Sequence, residues 1–179
     1  MRALRLSFIF VLLLAGCHAA KQSYHTETYK GRPILVGQIP VEALRKPPYK
    51  TWFEENYNEY QPGAAALDSL KTFDKSNLRI DVYMGTWCPD SREHVPHFVR
   101  VAHEAGIARK QYRIFALPRH YGDSPMVKGK NIIRVPTFIV YLNGKEAARI
   151  IEYPMQSIEA DLLRILRGET YIHDYQKQP

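Results

Sequence analysis

The sequence predicts an α/β fold: a central mixed β-sheet flanked by helices, with an N-terminal helical extension. Three observations predict it. The β-rich run Leu78 to Met84 is followed at once by apolar residues at helical spacing, Asn143-Gly144 joins two further β-rich runs, and a capped amphipathic stretch follows them. The order strand, helix, strand, connection, hairpin, helix is that of a parallel-plus-antiparallel sheet covered by helices.

The chain has 179 residues, 45% hydrophobic and 24% charged, which is room for one domain with a real core and a modest extension. That composition excludes a disordered chain and a many-spanning membrane protein. Net charge is +7, but the basic residues are scattered and do not interleave with aromatics, so no nucleic-acid partner is expected.

Residues 1–16 read as a secretory signal. Arg2 and Arg5 precede the apolar run Leu6 to Leu14, and Ala15-Gly16 is a small-residue end. Leu14-Ala15-Gly16-Cys17 is similar to the bacterial lipobox, which implies lipidation of Cys17, anchoring at a membrane and a location in the bacterial cell envelope facing the periplasm. Each methylene buried in lipid contributes about 0.8 kcal/mol, so such an anchor holds firmly. Residues 17–30 are polar and aperiodic, as a flexible tether would be.

Residues 31–75 form the extension. Ile34-Leu35-Val36 is expected to be an edge strand, Trp52, Phe53, Tyr57 and Tyr60 recur at helical spacing, and Ala66, Leu67, Leu70 and Phe73 mark a second helix. The main domain, 76–168, starts with the central strand Leu78 to Met84. Val95, Phe98, Val99 and Ala102 then form the stripe of a helix packed on a sheet. Gln111 to Leu117 is a second strand, and a polar stretch runs from Pro118 to Gly129. Thr137 to Leu142 and Glu146 to Ile151 make a hairpin through Asn143-Gly144. Ser157 caps the last helix, Gly168 ends it, and the polar tail 169–179 is expected to fray.

This reading places Cys88 between a strand and a helix N-terminus. If Cys17 carries lipid, Cys88 is the one thiol left in a compartment that favours disulfides. A free thiol with a pKa of about 8.5 is mostly protonated at neutral pH, and the N–H groups that open a helix would favour its anion. Pro89 suits the first helical position. Asp90 should oppose ionisation and Arg92 should favour it. Trp87 would shield one side of the sulfur and offer a surface to a partner.

Trp87-Cys88 at a strand end, Pro96, Arg134-Val135-Pro136-Thr137-Phe138 and Asn143-Gly144-Lys145 together resemble the thioredoxin-like superfamily over roughly residues 76 to 167. The resemblance implies a thioredoxin-like fold in which Pro136 is a cis-proline facing the active cysteine. Trp87, Pro89, Val135, Pro136 and Thr137 would then line the substrate site, with Cys88, Ser91, Trp87 and Pro136 as the working group. Ser91 stands where dithiol members carry a second cysteine, and Val82 stands where thioredoxins carry a buried acid, with Asp81 beside it on the opposite face of the strand. The two departures agree, because a base serving a second thiol has no purpose without that thiol.

The expected function is monothiol thiol-disulfide exchange through Cys88 (reduction, isomerisation or deglutathionylation) with protein or small-molecule thiols and disulfides as partners. The alternative is a non-catalytic peptide- or protein-binding module on the same fold. A peroxidase of the peroxiredoxin kind lacks its upstream Pro and Thr. His94, His97 and His103 invite a metal, but His97 is expected to point to solvent and the other two to lie on the helix flanks, so no metal and no cofactor is expected.

Overall fold

A computed structural model describes residues 23–176. The expected signal, the lipobox and Cys17 lie outside the described residues. No helix among the described residues is long and apolar enough to cross a membrane.

The elements in chain order are β1 (Tyr24–Tyr29), β2 (Arg32–Ile39), α1 (Val41–Leu44), α2 (Lys50–Glu59), α3 (Ala64–Thr72), β3 (Leu78–Met84), α4 (Pro89–Glu104), β4 (Tyr112–Ala116), β5 (Thr137–Leu142), β6 (Lys145–Ile151) and α5 (Ile158–Leu166). They form a mixed α/β fold around a six-stranded sheet of order β1-β2-β4-β3-β5-β6. Only β3 and β4 pair in parallel, with Val82 opposite Ile114, and every other neighbouring pair is antiparallel.

Alternation along β3 divides the molecule into two faces. Ile80, Val82 and Met84 point into the core shared with all five helices, where Phe53, Leu70, Phe98 and Leu162 are fully buried. Tyr83 points the other way, toward Leu117, Val127, Val135 and Ile139. Helices therefore cover one face, and the long connection after β4 covers much of the other. Asp81 lies on that second face, opposite in direction to Val82, and Arg113 on β4 donates to both its carboxylate oxygens at 2.8 and 2.7 Å.

Three expectations change. Residues Tyr24–Tyr29 are not tether but strand β1, paired along its length with β2. The strand that holds Ile34 to Val36 is not an edge strand, because β2 lies between β1 and β4. The start of the tail does not fray: Tyr171 is buried and its hydroxyl donates to Asp161 at 2.8 Å, while His173 is fully buried against the Tyr153 carbonyl at 3.0 Å. Polar composition misled in the first and third cases, since pairing partners and buried acceptors far along the chain supply what the local sequence lacks.

Candidate functional site

The site is built where β3 ends. Gly85 follows the strand because a side chain there would collide with the Trp87 ring, a Cβ lying 2.5 Å from it. The Cys88 amide donates to the Gly85 carbonyl at 2.9 Å, closing the turn, and Cys88 itself is the N-cap of α4 with extended backbone. Pro89 occupies the first turn of α4, where a missing N–H leaves no orphan donor. Ser91 is fully buried and its hydroxyl accepts from the Gly85 amide at 3.1 Å, which ties the first turn of the helix back to the strand end.

The peptide bond between Val135 and Pro136 is cis. The Cys88 thiol faces that bond: Sγ stands 3.2 Å from the Val135 carbonyl oxygen and 3.5 Å from Asp90 Oδ2, two acceptors for one proton. Cys88, Ser91, Val135 and Pro136 thus come together. Thr137 follows on β5, and its hydroxyl donates to the Arg134 carbonyl at 2.7 Å, bracing the loop. Cys88 has no disulfide partner among the described residues.

The electrostatics overturn one expectation. Burial pushes the Cys88 thiol up from its ordinary value, and the Asp90 carboxylate adds to the rise; hydrogen bonds from Ser91 and from the Asp90 backbone act the other way and do not prevail. Arg92 does not tip the balance, because its guanidinium Nε is turned to the Thr86 carbonyl at 2.8 Å. Burial thus favours the neutral thiol over the thiolate. A chain position at a helix start supplies amide dipoles, but only the packed structure determines how much water the anion would lose.

Trp87 packs against the same buried cluster as Cys88. Its indole N–H donates to the Leu117 carbonyl at 2.9 Å, Arg119 lies over the ring at 4.7 Å, and Tyr121 stacks beside it at 6.4 Å. Trp87 and Pro89 border a cleft of about 550 Å³ that β1, β2 and the loop after β4 complete with Tyr29, Lys30, Arg32 and Arg119. Sequence reasoning missed the β1-β2 side of this cleft because it took Tyr29 and Lys30 for tether and gave Arg32 no role. His120, from the same loop as Tyr121, is exposed.

The histidines depart from expectation too. His97 is not turned to solvent but stacked on Tyr60 at 4.1 Å, and His94 lies beside it at 5.8 Å between ring centroids. Ligand atoms of Glu93, His94 and His97 lie within 4.8 Å of one another, against roughly 3.4 Å between the ligands of a formed tetrahedral zinc site. Burial lowers both imidazoles, His97 to about 4, so both are neutral near pH 7 and could ligate a metal. His103 stands apart, its Nδ1 bonded to the Tyr57 hydroxyl at 2.9 Å.

No protein-family model and no curated protein matches the chain. Among solved structures it is similar to a Pseudomonas aeruginosa protein of unknown function, at 14% identity over 65% of this chain and 80% of that one, with a TM-score of 0.48. It is also similar to an HIV epitope-scaffold, at 15% identity over 65% of this chain and 71% of that one, with a TM-score of 0.43. Neither likeness assigns a function to this chain.

Proposed function

We propose that this chain is a one-cysteine member of the thioredoxin-like superfamily that carries out thiol-disulfide exchange through Cys88, held at the periplasmic face of a bacterial envelope by lipid on Cys17. The observation that carries the reading is the meeting of the helix-capping Cys88 sulfur with the carbonyl of a cis Val135-Pro136 bond at 3.2 Å. A sulfur presented by a strand-to-helix turn beside an extended loop is well placed to receive a disulfide lying across that loop.

In the proposed reaction the Cys88 thiol first loses its proton to solvent. The thiolate attacks one sulfur of the partner disulfide along the S–S axis; the new Cys88–sulfur bond forms as the old bond breaks, and the departing thiolate takes a proton from water. With Ser91 in place of a second cysteine, the mixed disulfide persists until an external thiol repeats the exchange and restores Cys88. The binding-module reading has its own support, since a buried thiol with a raised pKa is slow to ionise.

Trapping separates the two. Cells making the full-length protein, quenched in acid with alkylating agent, should yield wild-type protein in disulfide-linked adducts that vanish with Cys88→Ser and with reductant. Adducts identical in wild type and Cys88→Ser, or none in either, would exclude exchange.

A further inference from the structure

We infer that the disulfide attacked by Cys88 carries carboxylates, and that the basic cleft beside Trp87 receives them; this rests on the proposed exchange activity. The cleft holds about 550 Å³, within the roughly 300–1,000 Å³ of small-ligand sites, and is lined by Lys30, Arg32, Arg92 and Arg119 together with Trp87 and Pro89. No acidic side chain among the described residues lines it.

The cations there are unmatched in a molecule that pairs many of its arginines. Arg113 meets Asp81, Arg134 meets Glu152 and Arg149 meets Glu146. Among the described residues, none of Lys30, Arg32, Arg92 and Arg119 has a carboxylate within the 4.0 Å of an ion pair. Of the acids next to Arg92 along the chain, Asp90 is turned to the sulfur at 3.5 Å and Glu93 lies 3.9 Å from the His94 imidazole. Four like charges around one concavity repel one another, and an anion bound among them relieves that repulsion while its field speeds encounter.

Two of the four are already oriented. The Thr86 carbonyl holds Arg92 by Nε at 2.8 Å, leaving the terminal nitrogens for a carboxylate, and Arg119 lies over the indole at 4.7 Å. Trp87 and Pro89 are the chain neighbours of Cys88, so the cleft opens beside the residue that bears the sulfur. A carboxylate seated there brings its disulfide to Cys88. The Cys88 thiolate then forms one S–S bond as the substrate's own breaks, and the carboxylate-bearing thiolate departs and is protonated by water.

Three aliphatic disulfides test this on the full chain in detergent: dianionic dithiodipropionate, neutral hydroxyethyl disulfide and dicationic cystamine. Formation of the Cys88 adduct is followed by mass, and each rate is divided by that of a cysteine-containing peptide with the same reagent. The normalised rates should fall in the order dianion, neutral, dication, with about tenfold or more between the extremes at low salt and a narrowing gap as salt rises. Arg32→Gln with Arg119→Gln should collapse the order, bringing the three normalised rates together. Equal normalised rates, or an order indifferent to those substitutions, overturn the carboxylate assignment and leave exchange standing. A thiol that reacts with none of the three removes the exchange reading and this inference with it.

Discussion

Cys88 is buried at the cap of α4, and its ionisation is governed by what surrounds it and not by its place in the chain. Burial and Asp90 raise its pKa. The midpoint of iodoacetamide alkylation against pH should therefore lie above that of an unstructured cysteine peptide, and Asp90→Asn should move it down by removing a negative charge 3.5 Å from the sulfur. A wild-type midpoint below the peptide's would contradict a thiol held neutral by burial. A second prediction concerns Asp81, which is fully buried and bonded twice to Arg113. Arg113→Met strips that carboxylate of its main partner and should cost about 2 kcal/mol in urea unfolding. That is less than the roughly 3–5 kcal/mol of a fully buried pair, because Arg79 stays 3.7 Å away.

At the scale of elements, α4 joins the site to the extension. Its apolar stripe of Val95, Phe98 and Val99 faces the sheet, and His97 on its flank stacks on Tyr60 at the end of α2. Burial lowers the His97 pKa to about 4, whereas an unfolded histidine titrates at about 6.5. The unfolded chain therefore binds the extra proton first, and the contribution of His97 to stability, present above about pH 6.5, is lost as pH falls through 4. The melting temperature of wild type should drop more steeply over that window than that of His97→Gln. Parallel curves would mean that the imidazole is no more buried than it is in the unfolded chain.

For the molecule as a whole, the ends of the described chain are working parts. Strand β1 covers an edge of β2 and completes the basic cleft, and the segment after α5 returns to cover Asp161, whose carboxylate accepts from Tyr171 and from the Met155 amide at 2.8 and 2.6 Å. Ending the chain after Gly168 removes the buried Tyr171 ring and that hydrogen bond, and should cost about 3 kcal/mol measured by thermal or urea unfolding. Were the segment a frayed tail, the same truncation would be neutral.

Residues 78–166 show how much could be read in advance. The strand β3, the stripe of α4, the Asn143-Gly144 turn and the Ser157 cap, which accepts from the Ala160 amide at 3.3 Å, all sit where the chain predicts them. Each of these signals is local: a period of two or 3.6 residues, a turn that needs positive φ, a cap that satisfies an orphan amide. That Cys88 and Pro136 would lie together came from the resemblance carried by Trp87-Cys88 and Val135-Pro136-Thr137, not from any local period or cap. The sequence by itself could not supply what depends on partners distant along the chain. Strand β1 is polar and largely exposed, and is a strand because β2 pairs with it; His97 is covered because α2 packs there; the cleft is basic because Arg32, Arg92 and Arg119 arrive from three separate segments. Only the tertiary structure decided the state of the sulfur, since the cost of ionising a thiol is set by the water that packing takes away from it.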